Sequence, residues 1–374
     1  MVAAKIAQTN KVPFVSVLMS VYNGEQYLKE TIKSVLDQSF QNFEFIVVEN
    51  GSEDSSLDIL KSFHDSRIKI LQLEQNVGLS QALNHGLQHS SAELIARIDA
   101  DDLMRKDRLE KQVDFMKKNP HIVLLGSAVE RIFSNGEHRD FMYFQTTHDD
   151  IIQSIAYGSP FAHPSVIFRK IAINELGNYN EKLSYAQDFK LWLEVLKKHQ
   201  VSNLNIPLTL YRTHSSQNSL RAARESCILF KEILEDEHWS DKIDKKIATK
   251  TLRKWEKVPC QKTVSKLRLQ KWKGWESKLP DFRKIVLYGG GDHTIRLLEE
   301  LDLSECKTRP FLIVDRQPIG NELEQVPLTN SKKLPTVEFD YIIISSYFYE
   351  KEIYDELVKE YPAEKILRFY ELES

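Results

Sequence analysis

Cysteine is scarce in this sequence. Three cysteines occur among 374 residues, and their spacing matches neither a metal-ligand pattern nor a disulfide framework. A disulfide-stabilised secreted domain is therefore excluded, and the cysteine usage is typical of a reducing compartment. The three residues are Cys227, Cys260 and Cys306.

Long apolar segments are also absent. No run approaches the roughly 18 apolar residues that a membrane span requires. Residues 1–12 lack the apolar core of a signal peptide. We therefore expect a cytoplasmic protein, and peripheral contact with the inner face of a membrane stays open as an alternative.

The sequence has no marked excess of charge of either sign. Its formal net charge is −3, which gives no general reason to bind nucleic acid. Hydrophobic residues make up 41% and charged residues 28% of the chain, which is typical of a soluble globular protein. The length is sufficient for two domains.

Apolar runs alternate with amphipathic helical segments over the first 100 residues. The predicted strands lie at 14–21, 43–48, 68–73 and 94–96. This alternation is typical of an α/β domain with a mainly parallel sheet, in which ligands bind at the carboxyl ends of strands. Polar residues follow three of these strand ends, at Tyr22-Asn23, Glu49-Asn50 and Asp99-Ala100-Asp101.

Three carboxylates lie within four residues after the fourth predicted strand, at Asp99, Asp101 and Asp102. Carboxylates so close together repel one another, so a fold places them on a solvated loop or around a cation. Asp99 and Asp101 share one face of an extended chain. Hard oxygen ligands of this kind suit Mg²⁺ or Mn²⁺. The alternative is a solvated acidic turn that caps a helix beginning near Arg105.

From residue 14 to about residue 220 the sequence resembles the glycosyltransferases of family 2, whose catalytic domain has the GT-A fold. The resemblance is carried by several short stretches in the same order along the chain. They lie at residues 15–23, 47–52, 76–84, 95–102, 163–166, 186–192 and 211–214. The resemblance implies a metal-dependent, inverting transfer of a sugar from a nucleotide-sugar donor to a hydroxyl of a glycan or lipid-linked acceptor. It further implies a role in surface-polysaccharide biosynthesis.

The resemblance also implies roles for individual residues. Asp188 would be the general base that accepts the proton of the acceptor hydroxyl. Asp101 and His214 would bind Mn²⁺ or Mg²⁺. His163, on an extended loop before Pro164, and Gln187 would lie on the acceptor side. The donor would bind at Val21, Tyr22, Asn23, Glu49, Asn50, Asn76, Gly78, Arg97 and Asp99.

Structural roles remain open for several of these residues. Tyr22 could be a core aromatic, Gly78 could serve only a turn, and Arg97 could form a strand-end salt bridge. Asp102 would be a helix N-cap or a group behind the metal ligands, and the cap is favoured. An isolated histidine is often a satisfied structural residue, and an Asp before a helix is often a cap.

Two residues depart from the family pattern. Asn50 stands where the family has an acidic residue that recognises the base, so uridine is favoured while thymidine and guanosine are less safely excluded. Gln187 stands where the family has an acidic residue, and its lack of charge should leave Asp188 more readily ionised. Both departures give some support to a non-catalytic nucleotide-sugar-binding or scaffold protein. A sugar-nucleotide pyrophosphorylase is disfavoured because residues 21–24 are not a glycine-rich basic loop.

Residues 221–282 have a helical pattern that is basic and contains tryptophan. Such a composition suits an anionic membrane surface. A helical linker with packed tryptophans is the favoured interpretation. The tryptophans concerned are Trp255, Trp272 and Trp275.

Residues 283–374 resemble a small Rossmann-like α/β domain. Gly289, Gly291 and Asp315 could form a second nucleotide site at a helix start. The glycine motif is incomplete, since Thr294 occupies its last position. A binding, docking or oligomerisation module is therefore favoured, with a homo-oligomer possible. The predicted domains are 1–220, 221–282 and 283–374.

Overall fold

The computed structural model describes most of the chain. The described residues are 12–133, 136–213, 223–256, 261–279, 282–289, 294, 297–298, 301, 306–315, 322–323, 326–345 and 350–369. The chain divides into two compact units. The first comprises the residues up to Arg131 together with Phe141–Arg212 and Ile228–Thr251, and the remainder belongs to the second.

Parallel strands form one half of the sheet in the first unit. They are β1 (Val15–Val21), β2 (Phe43–Asn50), β3 (Ile68–Leu73) and β4 (Leu94–Arg97), in the spatial order β3-β2-β1-β4. β1, β2 and β4 are buried along their whole length, as apolar runs in a covered parallel sheet should be. The predicted strands are thus confirmed to within two residues at each end.

Helices connect these strands and cover the sheet. They are α1 (Glu25–Leu36), α2 (Ser56–Lys61) and α3 (Leu79–His89). α1 buries Leu28, Thr31, Ile32 and Val35, which are spaced so that they form one stripe of the helix. This stripe packs on the apolar core beneath β1 and β2, and it thereby fixes α1 beside the carboxyl ends of the strands.

The other half of this sheet is antiparallel, and the sequence patterns did not predict it. It consists of β5 (Leu103–Met104), β6 (Ile122–Ile132), β7 (His138–Met142), β8 (Ile167–Arg169) and β9 (Gln200–Arg212). The order continues from β4 as β8-β6-β9-β5, and β7 pairs with β6. The helices among these strands are α4 (Arg108–Lys118), α5 (His148–Ser154), α6 (Lys170–Glu175) and α7 (Gln187–Lys198).

The predicted helical stretch follows β9 along the chain. It contains α8 (Ala223–Glu235), α9 (Lys245–Glu256) and α10 (Gln261–Lys278). Trp272 is fully buried, its ring centroid lies 5.4 Å from that of Phe282, and its Nε1–H donates to the Thr308 carbonyl at 3.2 Å. This indole therefore packs as the linker interpretation expected. The side chain of Trp255 lies outside the described residues. None of the described helices has the length and apolarity that crossing a bilayer requires.

The second unit contains a smaller sheet. Its strands are β10 (Ile285–Tyr288), β11 (Leu312–Asp315), β12 (Glu322–Leu323), β13 (Val326–Asn330), β14 (Tyr341–Ile344) and β15 (Ile366–Arg368). The helix α11 (Glu350–Leu357) lies between β14 and β15 along the chain. The order is β12-β13-β11-β10-β14-β15. All recorded pairs are parallel except β12 with β13. The predicted second α/β unit is confirmed, whereas its Rossmann-like character stays a prediction.

A buried arginine at the start of α4 joins separate parts of the first unit. Arg108 donates to the carbonyl oxygens of Arg97 at 2.8 Å and Pro164 at 2.6 Å, and to Thr209 Oγ1 at 3.1 Å. Its Nε–H donates to Gln112 Oε1 at 3.0 Å. Burial lowers the pKa of Arg108 to about 9, so the group stays protonated at neutral pH.

We expect Arg108→Ala to be among the most destabilising single substitutions in the first unit. It would leave several buried carbonyl groups without a donor, which should cost about 3–5 kcal/mol of unfolding free energy. Urea denaturation measures this loss. Arg253→Ala, at an exposed arginine, is the matched control and should change stability little. Equal stability of the two variants would contradict the proposed role of Arg108.

Candidate active site

The loops that follow β1 and β2 are joined by hydrogen bonds. The Asn23 backbone N–H donates to Ser52 Oγ at 3.1 Å, and the Glu53 N–H donates to Asn23 Oδ1 at 2.9 Å. Asn23 has a φ of 51°, a left-handed conformation that asparagine tolerates better than most residues. Asn23 therefore holds the two loops together. The Val21 side chain is buried in the core, which leaves its backbone to face a ligand.

These loops enclose a cavity of about 310 Å³ at the carboxyl ends of the parallel strands. The Tyr22 ring is 43% exposed, so the alternative that it is a core aromatic is wrong. Residues from the end of β3 also line this strand-end cavity, and sequence reasoning did not single them out. The lining residues are Tyr22, Glu49, Gly51, Ser52, Glu53, Leu57, Gln72, Leu73, Glu74, Gln75 and Asn76.

The Asn50 side chain is buried and engages the loop that precedes α3. Its Nδ2–H donates to Asn76 Oδ1 at 3.1 Å, and its Oδ1 accepts from the Val77 N–H at 3.0 Å. Asn76 Oδ1 also accepts from the Gly78 N–H at 2.9 Å. Asn50 thus fixes one wall of the strand-end cavity. A carboxylate could accept from Val77 but could not donate to Asn76, so asparagine suits this position.

Gly78 has a φ of 88° at the start of α3. A Cβ placed there would meet no atom within 4 Å, so a side chain would fit in the available space. Glycine is required because other residues rarely adopt this backbone conformation. The turn interpretation of Gly78 therefore accounts for this residue. Glu49, at the end of β2, accepts from the Ser52 N–H at 2.6 Å through Oε1.

The acidic loop, residues 99–102, begins beside a buried arginine. Arg97 has no exposed surface, and its Nη2 lies 2.5 Å from Asp99 Oδ1. The alternative of a strand-end salt bridge for Arg97 is therefore confirmed. Burial raises the pKa of Asp99, and the nearby Asp101 raises it further, although the Arg97 cation acts in the opposite direction.

Asp102 is buried, and its Oδ1 accepts from the Arg212 backbone N–H at 2.7 Å. Its Oδ2 is also buried and has no hydrogen-bond partner in the part of the chain that the structure describes. Burial, and then the charges of Asp101 and Asp99, raise the pKa of Asp102 well above its ordinary value. The favoured prediction of a helix cap is wrong. Leu103–Met104 pair with β9, so α4 begins later, and Asp107 occupies its N-cap.

Arg212 holds the acidic loop from β9, and sequence reasoning missed it. Its Nε–H donates to the Asp101 carbonyl at 2.9 Å, and its guanidinium lies 4.4 Å from the ring centroid of Tyr27. Thr31 Oγ1 donates to the Ala100 carbonyl at 2.9 Å from the other side. Arg212 belongs to the family-like stretch 211–214, from which only His214 was predicted to have a role in the site. His214 lies outside the described residues.

The residues of the acidic loop fit a divalent cation. Closely spaced carboxylates, one with a buried oxygen that lacks a partner, are hard ligands whose mutual repulsion a cation would offset. Within the described residues no group of three His, Cys, Asp or Glu side chains is arranged as a complete metal site. A cation bound here would therefore need further ligands from water or from a ligand's phosphates.

Asp188 lies at the second position of α7, two residues after a residue in a left-handed conformation. Ala186, at the N-cap, has a φ of 54°. Burial raises the pKa of Asp188 to about 6, and the Asp99 charge contributes, against the effect of a hydrogen bond from the Phe189 backbone. Burial thus determines the direction of the shift. That the uncharged Gln187 leaves Asp188 more readily ionised than an acidic neighbour would stays a prediction. Gln187 is buried, and its Oε1 has no partner among the residues described.

His163 is buried and begins a short 3-10 turn, His163–Ser165. The predicted extended loop is wrong, because Pro164 is accommodated within this turn and the Ser165 N–H donates to the Ala162 carbonyl at 2.9 Å. His163 Nε2 lies 2.9 Å from the Tyr179 hydroxyl. Burial lowers the pKa of His163 and raises the pKa of Tyr179, so this hydrogen-bonded pair is neutral. Sequence reasoning did not single out Tyr179.

In the second unit, Gly289 follows β10 with a φ of 117°. Its N–H donates to the Val314 carbonyl at 2.8 Å. Its carbonyl accepts from the hydroxyls of Thr294 and Ser345. Asp315 ends the neighbouring strand β11, so the structure brings Gly289 and Asp315 to adjacent strand ends. Gly291 lies outside the described residues, and the second nucleotide site stays a prediction.

The fold of the first unit is that of a class of sugar-transferring enzymes. The family model described as glycosyl transferase family 2 matches residues 16–176. The amylovoran biosynthesis glycosyltransferase AmsE of Erwinia amylovora is 33% identical over 211 residues, which are 55% of this chain and 79% of AmsE. The chain therefore belongs to glycosyltransferase family 2.

Two further proteins illustrate the similarity. The UDP-Gal:alpha-D-GlcNAc-diphosphoundecaprenol beta-1,3-galactosyltransferase of Escherichia coli is 34% identical over 188 residues, covering 49% of this chain and 68% of that enzyme. Residues 1–349 of S. aureus TarS, in a crystal structure with UDP-GlcNAc, superpose with a TM-score of 0.50 at 18% identity. The match covers 77% of this chain and 79% of that one, and it concerns the fold alone. A second family model, C2185-like N-terminal, matches residues 282–367.

We expect Asn50→Asp to destabilise the first unit. The new carboxylate could not donate to Asn76 Oδ1, which lies 3.1 Å from Asn50 Nδ2, and two oxygen acceptors would face each other. The loss should be about 1–2 kcal/mol of unfolding free energy, measured by urea denaturation. Asn42→Asp, at an exposed asparagine, is the control. Identical stabilities of the two variants would show that the Asn50–Asn76 hydrogen bond does not fix the cavity wall.

Proposed function

We propose that this chain is a metal-dependent inverting glycosyltransferase. It would transfer a sugar from a nucleotide-sugar donor, with UDP as the carrier, to a hydroxyl group of a glycan or lipid-linked acceptor during surface-polysaccharide biosynthesis. One observation carries this proposal. A cavity lined mostly by polar residues and by Tyr22, an acidic loop and a carboxyl group with a raised pKa all belong to the carboxyl end of one sheet and the start of α7.

The choice of donor and acceptor is supported by the relatives. The name of the E. coli enzyme specifies UDP-Gal as donor and a lipid-linked diphosphate as acceptor. AmsE is named for the biosynthesis of a polysaccharide, amylovoran. In this chain the exposed ring of Tyr22 at the strand-end cavity is available to stack on a base. The polar residues at the end of β3 would contact the base edge.

The acidic loop would hold the cation. Asp101 and Asp99 are the proposed binding residues, with Asp102 behind them. When bound, a divalent cation neutralises the charge that develops on a departing nucleoside diphosphate. Arg97 keeps the Asp99 carboxylate in place, and Arg212 keeps the backbone at Asp101 in place. The loop is therefore held in its conformation before any ligand binds.

Asp188 would act as the general base. The acceptor oxygen attacks the anomeric carbon, the bond from that carbon to the diphosphate oxygen breaks, and the hydroxyl proton passes to the Asp188 carboxylate. A pKa of about 6 suits this task, because the group is largely ionised above neutral pH and is more basic than an ordinary aspartate. Attack from the side opposite to the departing diphosphate inverts the anomeric configuration.

The acceptor side of the site would be formed by His163, Tyr179 and Gln187. The His163–Tyr179 pair is neutral and buried, so it adds no charge that would compete with Asp188 for the proton. The Oε1 of Gln187 accepts no hydrogen bond within the described part of the chain, and a hydroxyl of the acceptor could donate to it.

Transfer should depend on the ionised form of Asp188. We expect kcat/KM to rise tenfold per pH unit below the pKa of Asp188 and to level off above it, because the base works deprotonated. This pKa is about 6 without a cation and should be lower with one bound at the acidic loop. Asp188→Asn should lower kcat by roughly 10² to 10⁴. Release of UDP from UDP-galactose, UDP-glucose and UDP-N-acetylglucosamine in the presence of methyl glycosides measures both effects. Asp114→Asn, at an exposed ion pair on α4, is the control. Wild-type turnover in Asp188→Asn would refute the base assignment.

Nucleotide binding should depend on a divalent cation through the acidic loop. We expect UDP to raise the melting temperature in the presence of Mn²⁺ and to have little effect with EDTA, since a ligand that binds the folded state stabilises it. Asp101→Asn should reduce the Mn²⁺-dependent shift, whereas Asp114→Asn should retain it. A shift that is equal with Mn²⁺ and with EDTA would contradict metal dependence. The absence of a shift with any nucleotide would favour a non-catalytic scaffold protein.

A further inference from the structure

The first unit contains a second cavity, of about 460 Å³, which is larger than the strand-end cavity. Its walls are the segment 176–182, the face of α7 that carries Lys190, Leu191 and Glu194, and Asn84 of α3. We call it the α3–α7 cavity. Its volume is within the range of small-molecule sites. None of the described residues proposed for donor binding, metal binding or proton transfer lines it.

Hydrogen bonds from α3 hold the wall of the α3–α7 cavity in place. Asn84 Nδ2 donates to the Tyr179 carbonyl and to Glu181 Oε1, each at 2.9 Å, and Asn84 Oδ1 accepts from the Tyr179 N–H at 3.0 Å. Ser80 Oγ donates to the Leu183 carbonyl at 3.1 Å. The buried amide of Asn84 thereby fixes the segment 176–182. A ligand would therefore bind a preformed site without the cost of ordering this loop.

The chemistry of the α3–α7 cavity suits an uncharged polyhydroxy ligand. Lys190 Nζ lies 2.8 Å from Glu232 and 3.3 Å from Glu194, so this cation is balanced by carboxylates. Glu181 and Glu194 would repel a diphosphate. Lys182 is exposed at the rim, and Leu191 offers a small apolar surface. Hydrogen-bonding groups of both kinds beside an apolar patch match the hydroxyl groups and C–H face of a sugar ring.

The α3–α7 cavity shares α7 and Tyr179 with the surroundings of the proposed base. Leu191 lies three residues after Asp188 on α7, so both belong to neighbouring positions of one helix face. Tyr179 contributes to the cavity wall, while its hydroxyl is hydrogen-bonded to His163. A ligand in the α3–α7 cavity would therefore be held next to the elements that carry Asp188, Gln187 and His163.

We propose that the α3–α7 cavity binds one neutral sugar unit of the acceptor saccharide. The inference rests on the proposed glycosyltransferase function. It assigns to Lys182 and Glu194 a part in acceptor recognition, and it separates the acceptor saccharide in space from the strand-end cavity that would hold the nucleotide. The balanced charges within the cavity account for the preference for an uncharged sugar over a phosphorylated one.

Direct binding of small glycosides tests this inference without any transfer reaction. Saturation-transfer NMR with the full chain would use the methyl glycosides of glucose, galactose and N-acetylglucosamine at millimolar concentration. Binding of at least one glycoside is expected. Lys182→Ala and Glu194→Gln should each weaken it by about tenfold, which is the loss of one hydrogen bond to a charged group. Lys198→Ala and Glu175→Gln, outside the cavity wall, are the matched controls and should bind as the wild type does.

The outcomes separate this inference from the proposed function. Glycoside binding that is lost in the two cavity variants and kept in their controls supports the cavity assignment. No glycoside binding, together with a Mn²⁺-dependent UDP shift on the same sample, overturns the cavity assignment and leaves the transferase function standing. Binding that survives both cavity variants also overturns it. Displacement of the glycoside by UDP-galactose but not by UDP would instead assign the cavity to the donor sugar, and would overturn the proposal.

Discussion

Carboxylates that repel one another are held in a partly buried loop at the end of β4, and much of the first unit is arranged around this constraint. Burial disfavours the charged form of Asp102, whose pKa is raised well above its ordinary value. Arg97 offsets part of the charge through its salt bridge to Asp99. Arg212 fixes the same loop through the Asp101 carbonyl, and its backbone N–H donates to Asp102.

The arginines also connect the acidic loop to distant parts of the sheet. Arg108 donates to the carbonyl of Arg97 and to the carbonyl of Pro164, so one side chain links the end of β4 to the turn that contains His163. The Asp99 charge in turn acts on Asp188 and contributes to its raised pKa. The loop that would hold a cation and the carboxylate that would accept a proton are therefore coupled electrostatically. A ligand cation at the loop would lower the pKa of Asp188, because it would offset the negative charge of Asp99.

The sequence allowed the parallel half of the sheet to be predicted, because buried parallel strands are long apolar runs such as Val15–Val21 and Phe43–Asn50. The antiparallel half was not predicted. β5 has two residues and β8 has three, so neither is long enough to show a period in its hydrophobic residues. The position of the acidic residues at strand ends could be predicted for the same reason. The environment of the polar strand-end residues could not be predicted, because their hydrogen-bond partners are distant in sequence. Asn76 lies 26 residues from Asn50, and Arg212 lies 110 residues from Asp102. The same limitation led to the error on the Asp102 cap.

The glycine turn of the second unit is held by the same kind of side-chain hydrogen bond. The Gly289 N–H donates to the Val314 carbonyl, so this donor is not available to a phosphate. The Gly289 carbonyl is occupied by the hydroxyls of Thr294 and Ser345, which also hydrogen-bond to each other at 2.5 Å. In a dinucleotide-binding turn, glycine at the last motif position permits close packing of the helix on the strand. Here the buried Thr294 occupies that position, and its hydroxyl fastens the turn to Ser345, directly after the end of β14.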